Sequence, residues 1–169
     1  MHFDERVQQW QPFFTTVATV AATLVGLLFV SLSLNREKIA SEPDQMLLRL
    51  ARRSFSDFLF VLLIALFFLI PFQGSTGLAI ELFGLGAFRI RWLVLQFLSQ
   101  AKHERKPTAP TWVREYMLPV LTVIGLLIAG AGIYEEELAA INWFVVPVIG
   151  SLLLRASWNA WLLLILERK

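Results

Sequence analysis

Four charged side chains interrupt long apolar stretches of this sequence: Asp57, Arg89, Arg91 and Arg155. A charge at the middle of a bilayer costs about 2.5–3.5 kcal/mol on insertion scales, so such residues usually face protein or water. There they can pair across helices, or attract and repel ions in a pathway. Arg155 also shares a helical face with Asn159, which extends a polar stripe along a leucine-rich segment. We therefore take these residues as candidates for a polar layer inside a membrane.

Glu81 is a further candidate, and it shares a helical face with Gly84 and Phe88. Near the outer end of a membrane helix, such a carboxylate can attract cations into a vestibule. It can equally hydrogen-bond to a threonine on a neighbouring helix. The sequence leaves both interpretations open.

No group of residues in the sequence has the spacing that catalysis or metal binding requires. Cysteine is absent, and the two histidines, His2 and His103, have no partner at metal-ligand spacing. The short motifs for nucleotide binding, nucleophilic hydrolysis and zinc proteolysis do not occur. We therefore expect no enzyme activity, no catalytic residue, no metal and no cofactor.

The composition of the chain predicts a membrane protein, in which the apolar stretches around these charges would lie in the bilayer. Of 169 residues, 57% are hydrophobic and 17% are charged, whereas soluble domains have roughly 45–50% and about 25%. A helix that crosses about 30 Å of hydrocarbon needs about 20 mostly apolar residues. The predicted fold is all-α, a bundle of five membrane-spanning helices in a single integral membrane domain over residues 1–169. The spans lie at about 13–34, 55–72, 76–98, 116–134 and 139–165.

The distribution of basic residues predicts the orientation of the bundle, because short cytoplasmic loops collect Lys and Arg. Five Lys or Arg lie in residues 35–54, four in 99–115 and two in the C-terminal tail, against one before the first span and none in the other two turns. We expect the N-terminus outside and the C-terminus in the cytoplasm. The basic loops, including Lys102, Arg105 and Lys106, are expected to contact anionic lipids at about 1 kcal/mol per nearby basic residue.

The same spans predict that the charges lie at one depth. Asp57, Arg91 and Arg155 are each about 15 residues from the outer end of their spans, or about 22 Å at the helical rise. This layer would be net positive. Arg89 and Arg91 are about 200° apart around a helix, so one can meet Asp57 or a neighbouring subunit while the other snorkels to the headgroups. Glu81, about 8 Å deep, is too shallow to reach Arg155.

The first span carries a face of small and hydroxyl-bearing residues. Small residues at helical spacing let helix backbones approach closely, and hydroxyls can hydrogen-bond across the contact. The face therefore fits either a packing contact between helices or the lining of a narrow hydrated pore. Its members recur at spacings of three and four residues, with one longer step: Thr16, Thr19, Thr23, Gly26 and Ser33.

Three consecutive carboxylates, Glu135, Glu136 and Glu137, form a short turn predicted to lie outside the membrane. On a ring of several copies they would make a strongly negative rim, whereas on a single copy they are a solvated turn.

The formal net charge of the chain is only +2, so we expect no nucleic-acid partner.

The string A-A-T-L-V-G-L-L-F-V-S-L-S-L at residues 21–34 resembles the first helix of a widespread group of small uncharacterised bacterial multi-pass proteins. In that group the run is similar to A-A-x-L-x-G-L-x-F-V-x-x-S. Leu69, Ile70 and Pro71, at the end of the second span, are also similar to the group. The resemblance implies a multi-pass protein of the bacterial inner membrane, and it carries no functional residues over.

These features predict a homo-oligomeric integral membrane protein with a channel-like, ion-conducting role. A chain of this size is expected to enclose a pathway only by assembling, with the first span on the axis and the arginine layer setting ion preference. The alternative is a non-conducting accessory, scaffold or regulatory subunit that joins a larger membrane complex through its small-residue faces. A channel requires self-association, whereas an accessory subunit requires an unrelated partner.

Overall fold

The computed structural model describes residues 3–34, 46–101 and 117–166. These residues are helical apart from short turns, and they contain no strand, which confirms the all-α fold class. In chain order the helices are α1 (Phe3–Gln8), α2 (Gln11–Leu34), α3 (Met46–Leu69), α4 (Ser75–Ala101), α5 (Leu118–Tyr134), a π-helical turn (Ile141–Val145) and α6 (Val146–Leu166).

The predicted spans overlap these helices, with one clear difference at α3. The helix ends at Leu69 and a turn follows, whereas the predicted span continues to residue 72. Pro71 explains the earlier end, because the residue before a proline is pushed out of the helical region of the backbone. α3 also begins before the predicted span, at Met46, so Arg49, Arg52 and Arg53 lie on the same helix as the apolar residues that follow them.

Two helical segments of the described chain are long and apolar enough to cross a membrane. They are Gln11–Leu34, with a mean hydropathy of 2.3 in its most apolar 18 residues, and Ile141–Leu162, with 1.3. Leu118–Tyr134 is apolar but shorter. α3 and α4 are long enough, at 24 and 27 residues, but each carries several charged side chains that keep it out of this group. The five-span bundle and its orientation therefore stay predictions.

By its internal contacts the chain divides into two compact units. The α2–α3 unit comprises Gln8–Ile70 and Ile149–Lys169, and therefore includes most of α6. The α4–α5 unit comprises Met1–Val7 and Pro71–Val148.

In the α2–α3 unit, α2 and α3 run antiparallel. Near the start of α2, Phe14 stacks on Phe68 from the end of α3, with ring centroids 4.1 Å apart and planes 9° apart. Towards the end of α2, Leu28 joins Phe58 of α3 and Ala156 of α6 in a buried apolar cluster. This packing places α3 and α6 side by side at the level where their charged residues lie.

In the α4–α5 unit, glycines allow close packing between antiparallel helices. A Cβ atom added at Gly86 of α4 would lie 3.2 Å from Leu127 of α5. At Gly132 of α5 an added Cβ would lie only 2.6 Å from the Cβ of Ala140, so α5 almost touches the helix that follows it. A larger residue at position 132 would force these two segments apart.

Pro147 gives a physical reason for the π-helical turn. Proline has no N–H, and its ring clashes with the carbonyl four residues earlier, which here belongs to Trp143. A wider turn relieves this crowding, and the N–H of Val146 donates to the carbonyl of Ile141, five residues back. The helix then continues as α6, with Trp143 and Phe144 on the widened turn.

Candidate functional site

Asp57 of α3 and Arg155 of α6, 98 positions apart in the chain, form a two-bond ion pair in the α2–α3 unit. The Nε of Arg155 donates to Oδ2 of Asp57 at 2.7 Å, and its Nη2 donates to Oδ1. The side chain of Asp57 is 2% exposed and that of Arg155 is 14% exposed. Two parallel bonds match the planar guanidinium to the carboxylate, which is the strongest geometry for such a pair.

Two further polar residues extend this contact along the same helices. The hydroxyl of Ser54, one turn before Asp57, donates to the backbone carbonyl of Ala156 at 3.1 Å. Asn159, one turn after Arg155, is buried. We call Ser54, Asp57, Arg155 and Asn159 the polar seam. Its members Ser54, Asp57 and Arg155 join α3 to α6.

The ion pair changes what the predicted arginine layer can do. The sequence predicts a net positive layer of three arginines and one aspartate, in which one of Arg89 and Arg91 meets Asp57 or a neighbouring subunit. In the structure Asp57 pairs with Arg155, so these two charges compensate each other. A guanidinium that is held in two hydrogen bonds is less available to attract a mobile anion.

Arg89 and Arg91 differ in exposure, as their angle around α4 requires. Arg89 is buried, with 4% of its surface exposed, whereas Arg91 is exposed. An exposed arginine on a membrane helix can extend its apolar stem and place its charge at the headgroups. Snorkelling by Arg91 stays a prediction, whereas Arg89 belongs to the packed interior.

Glu81 is half-buried on α4, in the second turn of the helix. Its Oε2 atom is buried and has no hydrogen-bond partner among the residues that the structure describes. The hydroxyls of Thr16, Thr19 and Thr23, the expected type of partner, donate instead to carbonyls of their own helix.

The hydroxyl-bearing face of α2 is exposed in the structure. The hydroxyl of Thr19 donates to the carbonyl four residues earlier at 2.9 Å, and Thr16, Thr23 and Ser33 do the same. A Cβ atom added at Gly26 would meet nothing within 4 Å. The opposite face carries the buried residues of α2, which are Phe14, Val17, Ala21 and Leu28. The small-residue face is therefore not a packing contact within one copy of the described chain.

A cleft of about 640 Å³ lies in the α4–α5 unit, beside the acidic turn. Its lining includes Glu135 and Glu137 of the turn and the aromatic residues Trp143 and Phe144. This cleft was not among the predictions from the sequence. A usable signal was present, since an apolar face of α5 continues directly into the carboxylates.

Ser54, a member of the polar seam, was not among the candidates predicted from the sequence. Its spacing of three from Asp57 was the available signal, because residues three apart share a helical face.

Among the described residues, no group of three or more His, Asp or Glu is arranged to hold a metal ion. The basic residues expected to contact anionic lipids at positions 102, 105 and 106 lie outside the described residues.

No protein-family model, no curated protein and no solved structure matches this chain. The bacterial multi-pass group that the α2 string resembles therefore stays a prediction.

Proposed function

We propose that this chain is a five-span integral membrane protein of the bacterial inner membrane that assembles into a channel-like homo-oligomer, with α2 facing the axis. The N-terminus lies outside and the C-terminus in the cytoplasm. The observation that carries the proposal is the exposed face of α2. Only 17% of the 18 most apolar consecutive residues of that helix are buried within the chain. The exposed side bears small and hydroxyl residues, which suit contact with another helix or with water.

The polar seam supports the membrane-spanning part of the proposal for α3. Asp57 and Arg155 would each be costly in hydrocarbon if unpaired. Pairing in two hydrogen bonds offsets part of that cost, because each charge exchanges water for a fixed partner of opposite charge. The antiparallel packing of α2 on α3 and of α4 on α5 also supports successive crossings in alternating directions.

The chemistry of the α2 face supports an interface with a second copy or with water. Each hydroxyl hydrogen is already bonded to its own helix, so the face carries no orphaned donor. Each hydroxyl oxygen keeps a lone pair that can accept a bond from water or from a neighbouring chain. Gly26, with open space around it, permits close approach of another helix backbone.

The alternative is a non-conducting accessory or scaffold subunit of a larger membrane complex, and the closed ion pair favours it. A pore that selected ions with Arg155 would need that guanidinium to face the pathway, whereas Asp57 occupies it in two bonds. In the accessory role, the exposed face of α2 contacts an unrelated membrane protein.

The deciding experiment measures the oligomeric state of the full chain in mild detergent by native mass spectrometry, with Gly26→Val as the test variant. The wild type should form a closed ring of about four or more copies. Gly26→Val should shift it to smaller species, since a branched side chain keeps two backbones apart. Gly150→Val is the matched control, because Gly150 is also an exposed helical glycine with nothing within 4 Å.

The proposal is wrong if the wild type is a monomer or an open dimer, or if both glycine variants dissociate equally. Ion flux from purified rings in liposomes then separates the two roles. Flux supports the channel, whereas rings without flux, or a stable complex with an unrelated partner, support the accessory subunit.

A further inference from the structure

The cleft beside the acidic turn is formed by two helical segments of the α4–α5 unit. One wall is a single face of α5, which includes Ile128 and Ala131 and continues into Glu135 of the turn that follows the helix. The other wall comes from the helix after the turn and includes Trp143 and Phe144. Its volume of about 640 Å³ lies within the range of roughly 300–1,000 Å³ that small-molecule sites occupy.

The shape of the cleft follows from two local features. Gly132 lets α5 approach Ala140 closely at one point, so the helices are in contact there and diverge beside it. The π-helical turn Ile141–Val145 then carries the two aromatic side chains of the opposite wall. Single π-turns occur frequently at functional sites, because they redirect side chains without breaking the helix.

The lining combines a largely apolar surface with negative charge. Glu135 and Glu137 both line the cleft and are exposed, and Trp143 is 71% exposed, so its indole ring is accessible. A positive charge is attracted both to carboxylates and to the face of an indole ring. A hydrated metal ion fits poorly, since hard cations need six or more oxygen ligands and the walls are apolar.

We propose that this cleft binds a hydrophobic organic cation, a substituted ammonium or phosphonium. Its charged centre lies beside Glu135 and Glu137 and against the Trp143 ring, and its hydrocarbon part covers Ile128 and Phe144. The ammonium headgroup of a lipid and a free amphiphilic amine share this chemistry. The binding site is independent of conduction and of the assembly of α2.

The test uses the full chain in uncharged maltoside micelles, with tetraphenylphosphonium as the probe and equilibrium dialysis against empty micelles. We expect one saturable site per chain for the cation. Tetraphenylborate is the matched control ligand, because it has nearly the same shape with the opposite charge, and it should show no saturable binding.

Three variants locate the site. Trp143→Leu should weaken binding by about fivefold, the equivalent of one cation–π contact. The double variant Glu135→Gln with Glu137→Gln should weaken it by at least as much. Glu136→Gln is the control, because it removes one charge from the same turn at a residue that does not line the cleft, together with the contact of Glu136 to Arg6 at 3.8 Å. It should stay within about twofold of the wild type.

The proposal is overturned if the wild type shows no saturable binding, if tetraphenylborate binds equally well, or if Glu136→Gln weakens binding as much as the double variant does for each charge removed. The last result would mean that general surface charge attracts the probe. Unfolding midpoints of the variants, which alter exposed residues, are expected to match the wild type. With saturable binding established, displacement by added phosphatidylethanolamine assigns the site to a lipid headgroup, and no displacement assigns it to a free cation.

Discussion

Replacing one member of the Asp57–Arg155 pair leaves the other charge buried without its partner. In Asp57→Asn the guanidinium of Arg155 loses a charged acceptor, and in Arg155→Met the carboxylate of Asp57 loses both donors of the pair. Each substitution keeps a side chain of similar length, so the steric change is small. The consequence is therefore mainly electrostatic.

The size of the effect follows from burial. Breaking a buried ion pair from one side costs about 3–5 kcal/mol of unfolding free energy. Arg155 is 14% exposed and can relax towards a polar surface, so Asp57→Asn should lie at the lower end, about 3 kcal/mol. Asp57 is only 2% exposed, so Arg155→Met should lie at the upper end, about 5 kcal/mol. An ordinary interhelical hydrogen bond in membranes is worth about 0.6 kcal/mol, which is clearly smaller.

The double variant Asp57→Asn with Arg155→Met distinguishes pairing from separate roles. It leaves no buried charge from the pair. Its loss of unfolding free energy should therefore fall to about 1–3 kcal/mol, the cost of a buried amide that lacks some of its hydrogen bonds. The assay is the unfolding free energy in mixed micelles, followed by circular dichroism as denaturing detergent is added. Arg91→Met is the control, because Arg91 is exposed on α4.

Two outcomes would refute this reasoning. In the first, each single variant loses less than about 1 kcal/mol, which is the range of a solvent-exposed pair. In the second, the double variant loses the sum of the two single variants, since independent sites add. Either result would mean that Asp57 and Arg155 do not depend on each other for stability.

Two further predictions use the same unfolding assay. Gly132→Ala should destabilise the chain by about 1–3 kcal/mol, because the new methyl group would lie 2.6 Å from Ala140. Gly84→Ala is the control and should be neutral or stabilising, since a Cβ atom added there meets nothing within 4 Å. Equal costs for the two variants would contradict the observed packing. Arg89→Met should cost about 1.5–3 kcal/mol as a buried charged residue, whereas Arg91→Met should stay within about 0.5 kcal/mol. The opposite order would show that α4 is rotated from the orientation described.

Much of the helical architecture could be predicted from the sequence, because its signals are local. Apolar runs of sufficient length predicted the helices, and Pro71 and Pro147 mark where regular helix ends or widens. The angle between Arg89 and Arg91 also follows from helical geometry alone, and one of them is indeed buried while the other is exposed. These features depend on residues within a few positions of each other.

The sequence by itself determined an all-helical chain with a small set of charges in apolar surroundings. The tertiary structure decided that Asp57 meets Arg155, 98 positions away, and that Ser54 reaches the backbone of α6. It also decided that the described residues of one copy leave the hydroxyl face of α2 uncovered. The sequence does not mark the packed face, because α2 is apolar on most sides. Partner choice depends on which helices are neighbours and how each is rotated and shifted, and these quantities are set by packing between distant segments rather than by local pattern.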